Sequence, residues 1–85
     1  MDIEQARNYV RVWIDSGGKN PSEAQFRKDM AMLKNDILDQ LAAYCDLLIK
    51  NFTATFGPDA PGLRYVRLAK QIILSSKNWV AYESY

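Results

Sequence analysis

An all-α fold is the expectation for this chain, and three observations carry it. Apolar residues recur at steps of three and four along most of the sequence, and no sustained alternation of β-branched residues marks a strand. The run "FRKDMAMLKNDILDQLAAYCDLLIKNF", Phe26 to Phe52, contains neither proline nor glycine, the two residues that most disfavour a helix interior. Two punctuating stretches, "SGGKNP" and "GPDAPG", divide the rest. Together they predict three helices, one short, one very long and central, one medium, over about residues 3–15, 21–56 and 61–81. The 85 residues are read as a single all-helical domain, since so short a chain supports one core at most.

The first helix opens at Asp2, with Gln5 three residues on in capping-box spacing. Its apolar set is Ile3, Ala6, Tyr9, Val10, Trp13 and Ile14. The pair Gly17–Gly18 stops it. For the second helix, Asn20 is the expected N-cap, with Pro21 at the first helical position, where its missing N–H costs nothing. Gly57 and Pro58 end that helix. It would run for roughly 35 residues, or about 50 Å. The third helix starts near Asp59 and Pro61 and offers Tyr65, Val66, Leu68, Ala69, Ile72, Ile73, Trp79 and Val80.

Along the long helix the apolar positions are Phe26, Met30, Leu33, Ile37, Leu41, Tyr44, Leu48 and Phe52. Their steps describe an eleven-residue repeat close to the natural helical period. A strict heptad would instead bring Gln40 and Asn51 into the seam. Leu38, Cys45, Ile49 and Phe56 add a second row on one flank, so the apolar arc is wide enough to touch two neighbours. Short helices folded back over a stripe of this length leave part of it wet. The eight seam residues are therefore expected to close a bundle-like homodimer.

Composition limits the function classes. The chain is 48% hydrophobic and 25% charged, which argues against disorder, and its net charge is +1. Such balance gives no global attraction to nucleic acid or to an anionic membrane. The N-terminal stretch "MDIEQARNYV" does not read as a signal peptide, and no apolar run reaches a membrane-spanning length, so a cytoplasmic location is expected. The sequon "NFT" at Asn51–Thr53 is read as chance. There is no histidine, and Cys45 is the only cysteine. Neither a disulfide framework nor a His-activated nucleophile nor a zinc site can be built from that inventory, so no enzyme, metal or cofactor is expected. Cys45 reads as a buried structural thiol.

Two charged groups remain. Asp29, Asp36, Asp39 and Asp46 lie away from the apolar stripe and read as a solvated face, balanced by Lys28 and Lys50, rather than as paired acid–base or metal carboxylates. Arg64, Arg67, Lys70 and Lys77 fall within an arc of about 140° on the third helix. A basic face of this kind can grip phosphate, or it can pair with the acidic side of the long helix. The end "NWVAYESY" adds Trp79, Tyr82 and Tyr85, residue types that dominate interface hot spots, as candidates for docking on the chain's own core or on a partner. The expected function is a non-enzymatic helical interaction module (adaptor, regulator or inhibitor) acting as a homo-oligomer. The alternative is a nucleic-acid-associated factor using the basic face, for which "SGGKNPSEAQFRKDM" is only a weak helix-turn-helix likeness, because the helix that follows is too long and too apolar.

Overall fold

The computed structural model describes the backbone of residues 1–83 and the side chains of residues 1–77. Four helices, not three, follow one another: α1 (Ile3–Asp15), α2 (Glu23–Ala31), α3 (Asn35–Phe56) and α4 (Leu63–Glu83). The expected long helix is divided at Met32–Lys34, which corrects the sequence reading of an unbroken element.

α1 forms as its caps dictate. Asp2 Oδ1 accepts from the Gln5 backbone N–H at 2.8 Å, and Gln5 Oε1 accepts from the Asp2 N–H at 3.0 Å, so two orphan donors of the first turn are satisfied reciprocally. The buried face is Ala6, Val10, Trp13 and Ile14. Gly17 and Gly18 then turn the chain with φ of 71° and 73°, in the left-handed region that glycine enters most easily. Ser16 holds this turn, its hydroxyl donating to the Trp13 carbonyl at 2.7 Å and accepting from the Asn20 N–H at 3.0 Å. Gly18 also lies against Trp13, where a Cβ would approach the indole to 3.2 Å.

The N-cap of α2 is Ser22, not Asn20, and its hydroxyl accepts from the Gln25 N–H at 3.2 Å. Pro21 therefore precedes the cap instead of opening the helix. Nine residues later α2 tightens, with Met32 and Leu33 N–H groups donating to the carbonyls of Asp29 and Met30, three residues back, at 3.2 and 3.1 Å. Lys34 is extended at φ −72° and ψ 154°, and its carbonyl accepts the first bond of α3 from Leu38 N–H at 3.0 Å.

The break has a packing cause. It lets α2 turn back so that Phe26 stacks on Trp13, with centroids 4.2 Å apart and planes within 5°, while Tyr9 stacks on Phe26 at 5.9 Å. A straight helix would carry Phe26 and Met30 roughly 20–30 Å beyond the middle of α3. The local cost is small, because Met32 takes the solvent position at 78% exposed and Leu33 remains buried.

α3 and α4 run antiparallel, since Asp46 meets Lys70 and Asp39 meets Lys77. α1 lies along α3 in the same sense, with Arg7 at Tyr44 and Arg11 at Phe52. The core collects Val10, Trp13, Phe26, Met30, Leu38, Leu41, Val66, Ile72 and Ile73, all essentially inaccessible. Fully burying each large side chain contributes about 1.5–3 kcal/mol, so a few such residues decide whether a domain of this size folds. No helix among the described residues is long and apolar enough to cross a membrane.

Candidate interaction surface

The stripe expected to pair two copies is mostly interior. Phe26, Met30 and Leu41 are fully buried, Leu33 and Leu48 nearly so, and Ile37, Tyr44 and Phe52 are partly buried against the same cluster. Their cover comes from α1, α2 and α4 of the same chain. One copy covers most of the stripe because folding the helix at Met32–Lys34 shortens α3 to 22 residues and adds a covering layer. Cys45 belongs to this core as a free thiol. Burial, with the Asp46 charge adding to it, pushes that thiol up to about 12, which leaves it inert as a nucleophile near neutral pH.

The charged groups are placed individually. Asp46 and Asp39 pair with Lys70 and Lys77, so half of the basic face is an interhelical tie. Exposed pairs of this type contribute about 0–1 kcal/mol and serve chiefly to set register. Arg64 lies over the ring of Tyr65 at 5.5 Å and, with Arg67, stays exposed without an ion pair among the described residues. Asp36 accepts from the neighbouring Ile37 N–H at 3.0 Å in the first turn of α3. Asp29 is not a bare surface charge: it accepts from the Tyr9 hydroxyl and from Gln25 Nε2, the latter at 2.9 Å, and so ties α1 to α2. Burial and this carboxylate neighbour push the Tyr9 phenol above its ordinary range. Among the described residues no group of His, Cys, Asp and Glu could hold a metal ion. The side chains of Trp79, Tyr82 and Tyr85 lie outside the described residues.

One surface feature is a groove between α1 and α3. A recess of about 360 Å³ is lined by Arg7, Gln40, Ala43, Tyr44 and Leu47. The four α3 residues are spaced i, i+3, i+4 and i+7, one face over two helical turns. Leu47 is 53% exposed, with solvent-facing Ala43 beside it. Arg7 stands over the Tyr44 ring at 5.8 Å, and Arg11, one turn on, over Phe52 at 5.7 Å. Arg11 is neutralised by Asp15 at 3.2 Å. Of these residues only Tyr44 was singled out by the sequence reading. The available signal was Gln40, whose place in a heptad register marks a second stripe beside the core one. The geometry can hold an apolar ligand and a carboxylate side by side, and it contains no activated nucleophile. No protein-family model matches the chain, and no curated protein or solved structure is similar enough to count as a relative.

Proposed function

We propose that this chain is a small non-enzymatic interaction module that offers the α1/α3 face to another protein. The observation that carries the reading is Leu47, a large apolar side chain left half exposed beside a recess while the core next to it is closed. Exposed apolar groups that cluster around a concavity mark interaction surfaces, whereas isolated ones do not. Homo-oligomerisation is part of the reading only in altered form. Most of the expected seam packs against the chain's own helices, which makes the α1/α3 face the surface we assign to a second copy if one binds. The nucleic-acid reading is the weaker one, since on the basic face of α4 Lys70 and Lys77 are engaged with Asp46 and Asp39, which leaves Arg64 and Arg67 of that face to meet phosphate.

The test is a selection of displayed random peptides on the folded chain, counter-selected on Leu47→Glu. Enriched peptides that bind the native chain and lose binding to the variant are the expected result. Binders indifferent to Leu47, or none at all, would remove the reading. A salt-sensitive oligonucleotide complex that Arg64→Glu with Arg67→Glu abolishes would favour the alternative.

A further inference from the structure

We infer that the α1/α3 groove receives an amphipathic helix of another protein that places carboxylates beside its apolar stripe. The inference rests on the interaction-module reading and narrows it to a partner chemistry. Shape supplies one half. Gln40 to Leu47 spans about 10 Å, two turns, which is the repeat of a helix presenting anchors at i, i+3, i+4 and i+7. Ala43, small and exposed at the middle of this face, lets a second backbone approach closely. Leu47 forms one wall and the Arg7–Tyr44 stack the other.

Charge supplies the other half. Arg7 has no ion pair among the described residues, although its guanidinium is held in place over the Tyr44 ring. Lys50, one turn beyond Leu47, is exposed and makes no ion pair among the described residues either. The carboxylates in the same region are Glu4, Asp36 and Asp46, each about one turn before Arg7, Gln40 and Lys50, and Asp15; of these Asp15 is already engaged by Arg11 and Asp46 by Lys70. Arg7 in the recess and Lys50 just beyond it are therefore cations without an ion pair among the described residues. A carboxylate beside the partner's apolar stripe meets Arg7, and a second one about seven residues along, roughly 10 Å away, lies toward Lys50. A guanidinium held in place by a ring and shielded by the incoming apolar stripe is a strong donor to a carboxylate, because the pair forms with little further ordering.

The experiment uses the whole chain and two synthetic helical peptides, each about 18 residues long. Both carry the same Leu stripe, flanked by Glu in one and by Lys in the other. Affinity is read by fluorescence anisotropy and location by backbone amide shifts. The Glu peptide should bind at least about tenfold more tightly than the Lys peptide and shift amides of residues 4–11 and 40–50. That preference should shrink as salt rises and invert in Arg7→Glu. Arg7 and Leu47 are both exposed, so circular dichroism should report unchanged helicity for their variants. Equal affinities, shifts elsewhere, or concentration-dependent shifts of the same amides in the free chain would overturn the inference, the last by assigning the groove to a second copy. If displayed peptides bind through Leu47 while the Glu peptide does not, the module reading stands and this inference alone fails.

Discussion

Lys34→Ser tests the division of the long helix, because its sign differs between a broken and a continuous element. In the structure Lys34 is the N-cap of α3, extended, exposed, and without a side-chain cap hydrogen bond. The Ile37 N–H is already served by Asp36, so a serine hydroxyl at position 34 would accept from the Asp36 N–H, the donor next in reach. A Ser cap contributes about 1 kcal/mol, and removing a cation from the positive end of α3 adds about 0.3–1 kcal/mol. A gain of this size raises the melting temperature of an 85-residue domain by about 4–8 °C per kcal/mol. In an unbroken helix position 34 would be interior, and Ser would cost a few tenths of a kcal/mol relative to Lys, lowering the midpoint by about 1–3 °C. Thermal unfolding followed at 222 nm gives the sign directly. Ser22→Ala is the matching control, expected to cost about 1 kcal/mol by removing the α2 cap. A drop in midpoint for Lys34→Ser, with Ser22→Ala behaving as stated, would refute the break.

Further consequences can be measured on the same protein. Phe26→Ala should cost about 3–5 kcal/mol, enough to unfold much of the population, because the ring is buried between α1 and α2 and stacked on Trp13; chemical denaturation of the milder Phe26→Leu should retain cooperativity with a lower midpoint. Gly18→Ala should cost at least about 1–2 kcal/mol from its left-handed backbone, with crowding against Trp13 adding to it, which urea titration will show. Cys45 has a native-state thiol raised to about 12, so the unfolded chain loses its proton first as pH rises past the ordinary thiol range. Stability is therefore complete below about pH 8.5 and falls as pH climbs toward 12; Cys45→Ala should flatten part of that alkaline decline, and an unchanged profile would place the thiol in contact with water.

Much of the architecture was legible in local chemistry. The Asp2–Gln5 capping pair, the Gly17–Gly18 turn, the stop at Gly57–Pro58 and the apolar faces of α1 and, as far as Ile73, of α4 stand where residue type and spacing put them. These are short-range effects, decided within a few residues. The break at Met32–Lys34 was not legible in the same way, because no glycine or proline marks it. Asn35 and Asp36, residues that favour helix starts over interiors, were the one available signal, and the unbroken apolar period from Phe26 to Phe52 outweighed it.

The amino-acid sequence by itself determined that the chain is helical and which faces are apolar. Tertiary structure alone decided which apolar residues meet. Phe26 can stack on Trp13 only if the long helix folds back, and that contact outweighs the hydrogen bonds lost at the bend. Once α1, α2 and α4 cover most of the stripe, Arg7, Ala43 and Leu47 are among the residues left at the surface. Periodicity ranks faces by hydrophobicity, but the free face is set by how many neighbours the chain can supply for each of them.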